Sequence, residues 1–150
     1  MATDKKEPNS GNTSVDDFLQ SLYELTNSAD LEVGVTLQVN GKNISGIMIS
    51  GSEYFKLTDE LLSSVWSSDV KEKIDDALEA NIEFYSGGSG NSHAQGEQYI
   101  HMRNTHIFEG DIMIPSNHDG ALWRGKMSSI SGFFLGKLED QEEISEPGTY

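Results

Sequence analysis

At 150 residues and 35% hydrophobic content the chain suffices for one domain, and a chain of this length buries roughly 70% of the surface it exposes when unfolded. Carboxylates dominate, 25 Asp and Glu against 10 Lys and Arg, and a net charge of -15 works against phosphate backbones and anionic membrane surfaces as partners. Cysteine is absent, which excludes disulfides and thiolate zinc sites and fits a reducing cytoplasm; "MATDKKEPNSGNTS" lacks a signal-like apolar run, and no window approaches the ~20 apolar residues of a membrane span.

In chain order, residues 1–13 are too polar to bury area worth their ordering entropy and read as a disordered N-terminal tail. "SVDDFLQSLYELT" then places Val15, Phe18, Leu19, Leu22 and Leu25 at helical spacing, with Ser14 and Asp17 as a start resembling a capping box. "LEVGVTLQV" alternates, sending Leu31, Val33, Val35, Leu37 and Val39 to one face and Glu32, Thr36 and Gln38 to the other, which predicts a strand. Asn40-Gly41 suits a type I′ turn, so the following segment, "NGKNISGIMISGSEYF", should return antiparallel. Its apolar face switches phase at Gly46, where a bulge or sharp bend would let one strand serve two faces of a closed barrel.

"LTDELLSSVWSSDVKEKIDDALEANIEFY" predicts a helix capped by Thr58, with acids in its first turn and a break near Ser67-Ser68. Leu61, Leu62, Val65, Trp66, Val70, Ile74, Ala77 and Leu78 form its apolar stripe. The Gly and Ser composition of residues 86–98 marks a flexible linker. Beyond it "YIHMRNTHIF" reads as a strand, "EGDIMIPSNHDG" as a loop with an apolar tip, and "ALWRGKMSSISGFFLGKL" as two strands joined at Ser131-Gly132. Residues 140–150 read as an acidic C-terminal tail, leaving a single domain over residues 14–139. The expected fold class is α+β: a small, strongly bent antiparallel β-barrel or sheet, SH3-like or Sm-like in shape, with an N-terminal helix and a helical insertion.

Chemistry-bearing patterns are few. His93, His101, His106 and His118 form no metal-ligand motif, and the spacing of five between His101 and His106 puts them on opposite faces of a regular strand. There is no G-x-S-x-G and no phosphate loop, and the pairs Asp16-Asp17 and Asp75-Asp76 fall on polar helix faces. The expectation is a non-enzymatic protein with no cofactor and no metal. Two clusters rise above this background. Trp123, Arg124 and Lys126 stand together in an otherwise acidic chain, and Phe133 and Phe134 sit side by side between glycines. Adjacent strand residues face opposite ways, so these five either close the core or form a protein-interaction surface.

The segments "LEVGVTLQVNGKNISGIMISGSEYF", "YIHMRNTHIF" and "WRGKMSSISGFFLGKL", with their order and spacing over residues 15–138, resemble the GvpU family of gas vesicle accessory proteins. The resemblance implies a cytoplasmic, non-enzymatic protein acting with gas vesicles, its partners being the vesicle shell or other accessory proteins. It brings no catalytic or cofactor residue. A neutral core with exposed aromatic and basic side chains would allow self-association and clustering of vesicles through multivalent contacts. The alternative is a general β-barrel interaction module with no link to vesicles. An RNA-binding Sm-like module fits less well, because only Arg103, Arg124, Lys126 and Lys137 lie in the second half of the barrel.

Overall fold

The computed structural model describes residues 15–86 and 96–138. The two tails and most of the linker lie outside these residues.

The first helix, α1 (Asp17–Ala29), starts two residues later than a Ser14 cap would place it. Asp16 is the N-cap: its carboxylate accepts from the backbone N–H of Phe18 at 2.8 Å and of Leu19 at 3.0 Å. The buried stripe is Leu19, Leu22, Tyr23, Thr26 and Asn27, so Phe18 and Leu25, both expected in the apolar face, stand exposed at its margin.

Strands β1 (Val33–Val39) and β2 (Lys42–Ile49) pair antiparallel around Asn40-Gly41, whose φ values of 52° and 78° are those of the expected type I′ turn. Strand β2 is shorter than the sequence suggested. Ser50 caps the next helix by accepting from the N–H of Glu53 at 3.1 Å, so "GSEYF" belongs to α2 (Gly51–Val65) and Thr58 lies inside it. The break falls where expected, and α3 (Ser68–Tyr85) follows Ser67.

The long strand β3 (Tyr99–Glu109) pairs with β2 on one edge. Its other edge is shared by β4 (Ile112–Ile114), which replaces the expected loop, and β5 (Ala121–Lys126). A 3-10 turn over Met127–Ser129 then leads to β6 (Gly132–Leu135), which pairs with β1. The junction therefore lies ahead of Ser131-Gly132. The sheet has six antiparallel strands in the order β4-β3-β2-β1-β6, with β5 on β3, and it does not close into a barrel. The connection from Lys126 to Gly132 runs past one end of the sheet: the N–H of Met127 donates to Gln98 O and that of Ser131 to Gln38 O.

The phase change at Gly46 has a different origin from a bend in β2. Ser45 and Ile47, two residues apart, face His106 and Arg103, three apart, so the extra residue is in β3. Asn104 carries it, at φ 50°. Gly46 is the residue opposite: a Cβ there would lie 2.4 Å from Thr105 Oγ1 and 3.0 Å from Arg103 O. On the far side Gly120, at φ 76°, leaves no room for a side chain against Asn104 and Thr105. Two glycines thus enclose the bulge.

Register separates two faces. Val35, Leu37, Ile44, Met48, Ile100 and Met102 form the core with Leu19, Leu22 and Tyr23 of α1. Burial of side chains of this size contributes about 1.5–3 kcal/mol each. The opposite face carries Ile49, His101 and Arg124, and there Tyr54, Phe55 and Tyr85 of the α2–α3 pair gather around His101. The domain is α+β, with a helix on one face of the sheet and a helical hairpin on the other.

Candidate functional site

The five residues singled out in the sequence do not form one surface. Trp123 and Phe133 lie on the α1 face, half-buried against the core. Phe133 meets Phe18 with ring centroids 6.1 Å apart. Arg124 and Lys126 point to the other face from β5, and Phe134 does so from β6. Those two strands are at opposite edges, four strand spacings or roughly 19 Å apart along the sheet.

Arg124 is committed within the fold. Its guanidinium lies 3.8 Å from the Tyr99 ring centroid and 5.7 Å from that of Phe55. Its Nε donates to His101 Nε2 at 3.1 Å, so that nitrogen is the unprotonated one. Burial first, and the Arg124 charge second, hold the His101 pKa down to about 3. Burial also raises the hydroxyl pKa values of Tyr23 and Tyr85. This ring-lined centre, with His101 neutral against the Arg124 cation, joins the helical hairpin to the sheet.

His101 and His106 do share a face, contrary to the regular-strand expectation. The bulge restores the phase, so that they oppose Ile49 and Ser45 of β2. His106 Nε2 is tied to Asn117 O at 2.7 Å, and no group of His, Asp and Glu that could hold a metal occurs among the described residues.

Exposed apolar side chains are concentrated elsewhere. On the hairpin Leu61, Val65, Trp66 and Val70 face solvent, on β4 Ile112 and Ile114, and on β6 Phe134 and Leu135. Only Phe134 of these was among the expected interaction residues. The hairpin stripe was legible as helical spacing, but spacing alone cannot say that α3 covers one side of α2 and that no described residue covers the other. Below Leu61 a groove of about 840 Å³ runs between α2 and the sheet, lined by Tyr54, Leu57, Leu61, Arg103, Asn104 and Leu122 among others.

Residues 16–138 match the family model described as gas vesicle protein GvpU-like. The chain belongs to the GvpU-like family. No curated protein and no solved structure matched it. The match covers the described domain from the Asp16 cap to the end of β6 and beyond, so α1, the sheet and the α2–α3 hairpin all belong to the family's shared unit. Membership makes this a gas vesicle-related protein. No helix among the described residues is long and apolar enough to cross a membrane.

Proposed function

We propose that this chain is a non-enzymatic, cytoplasmic accessory protein that binds gas vesicles, through the shell or other accessory proteins, and clusters them by self-association and multivalent contacts. Membership of the GvpU-like family carries the reading. Three separate sets of exposed apolar side chains, on the α2–α3 hairpin, β4 and β6, support it, because bridging requires more than one contact surface per molecule. Each contact can then be weak while the assembly is held by avidity. The test mixes the purified chain with buoyant vesicles and follows co-flotation and particle size by light scattering. Co-flotation with growth in size is expected; protein left in the subnatant with vesicle size unchanged overturns the reading.

A further inference from the structure

The second half of α2 has an apolar side that no described residue covers. Leu57, Leu61 and Val65 recur every fourth residue, giving a stripe two turns or about 12 Å long. Leu57 is half-buried in the groove wall, while Leu61 and Val65 are 54% and 64% exposed, and Trp66 at the end of α2 and Val70 in the first turn of α3 are exposed as well. The opposite wall is Ala121, Leu122 and the backbone of Gly120, brought against α2 by the β3 bulge. An open groove between a helix and the sheet, with apolar side chains one helical turn apart along one wall, suits the apolar face of another helix.

Charge selects the kind of helix. Glu60 and Asp119 line the groove, and Asp69, Glu72 and Asp76 lie on α3 beyond the tip. Residues 51–85 hold nine acids against Lys56, Lys71 and Lys73, and two of the cations near the groove are already engaged. Arg103 donates to Glu32 Oε1 and Asn104 Oδ1, each at 2.6 Å, and Lys71 bridges Asp59 and Asp75 across the two helices. The field left over is negative. A second copy of this chain would bring hairpin acids against hairpin acids, within a net charge of -15 on each molecule. We propose that this groove docks an amphipathic helix of another protein, its apolar stripe flanked by lysine or arginine. Docking would cover Leu61 and Val65 and set basic side chains against Glu60 and Asp119.

This goes beyond vesicle clustering, and the assay contains no vesicles, so either idea can fail without the other. The full chain is titrated against a fluorescent Leu/Lys peptide of about five helical turns with leucines on one face. A Leu/Glu peptide of the same spacing and a shuffled Leu/Lys peptide with no apolar face serve as comparisons. Anisotropy should show saturable binding of the first at least about tenfold tighter than of either other. Leu61→Gln with Val65→Gln, both exposed and charge-neutral, should lose about tenfold or more with the melting temperature kept, while Phe134→Gln should bind as the parent does. Equal binding of the shuffled peptide reduces the effect to bulk charge and overturns the proposal, as does equal binding of the Leu/Glu peptide. If the double variant binds the peptide normally but self-associates less in sedimentation velocity, the occupant is a second copy and the proposal is wrong.

Discussion

His101 makes the stability of this domain depend on pH in a window that can be worked out. In the fold its imidazole is 1% exposed, ringed by Tyr54, Phe55 and Tyr85, and accepts from Arg124 Nε. Protonation would destroy that acceptor and set two cations in contact. The folded pKa is therefore depressed to about 3, against about 6.5 in an unfolded chain. Between those values the unfolded state binds one proton more than the folded state, so stability is complete above about pH 6.5 and falls as pH is lowered. The loss is about 1.4 kcal/mol per pH unit, or about 2 kcal/mol between pH 6.5 and pH 5, before most carboxylates titrate. For a domain of this size that lowers the melting temperature by roughly 5 °C. Thermal unfolding at half-unit pH steps from 7.5 to 5 measures it, with His101→Gln as the comparison. The variant is less stable at pH 7.5, having lost ring contacts, but its curve should lack this slope. Parallel curves for the two proteins would refute the assignment.

Other outcomes follow from single contacts. Gly46→Ala should cost about 2–4 kcal/mol in urea unfolding, because the new methyl meets the backbone of Arg103 and Thr105, which cannot move without breaking the ladder; an unchanged midpoint would contradict the close approach. Asp16→Ala removes two cap acceptors and should lower stability by about 1 kcal/mol, read from the same transition. Asn27→Leu should cost about 1–3 kcal/mol, since it orphans the Gly51 N–H that Asn27 Oδ1 accepts at 2.9 Å at the start of α2. A chain ending at Leu138 drops the carboxylates of "EDQEEISEPGTY" and should cluster vesicles at least as readily as the full chain at low salt, by light scattering; loss of clustering there would make the acidic segment an attractive element.

How much of this was legible in the sequence depended on whether the signal was local. The type I′ turn at Asn40-Gly41 and the break before Ser68 were, because positive φ at a turn and the lapse into extended backbone at Trp66 and Ser67 are decided within a few residues. The start of α2 was not. "GSEYF" follows an apolar strand and carries two aromatics, so its local character is strand-like, and only the Ser50 cap and the packing of Tyr54 and Phe55 on His101 make it helical. Gly46 was marked correctly as architectural but for the wrong strand: the bulge needs Asn104 in the left-handed region, and a glycine across the ladder only reports it. Trp123 to Lys126 and Phe133-Phe134 were grouped because they are near in sequence and share a character. The chain returns from β5 to the far edge of the sheet between them, and strand alternation sends Trp123 and Arg124 to opposite faces.

The single extra residue in β3 connects the fold to the surface argued to be functional. Without it, the half of β3 that pairs with β4 would turn its side chains to the opposite faces relative to the half that pairs with β5. With it, the two halves of the strand are offset: Met102 and Thr105 both meet the α1 side, and His101 and His106 both meet the hairpin side. The turn of backbone at Asn104 then stands clear of the sheet, held by its side-chain amide donating to Asp119 O at 2.9 Å and by Gly120 packed against it. That ridge is the wall facing Leu57 and Leu61. Packing by itself accounts for the bulge: Gly46 and Gly120 accommodate it, and a regular strand would turn Ile107 out of the α1 face and His106 into it. The same residue also builds the groove wall, so the feature that keeps the core in phase shapes the α2 side of the sheet, and function is sought there rather than at the aromatic cluster of β5 and β6.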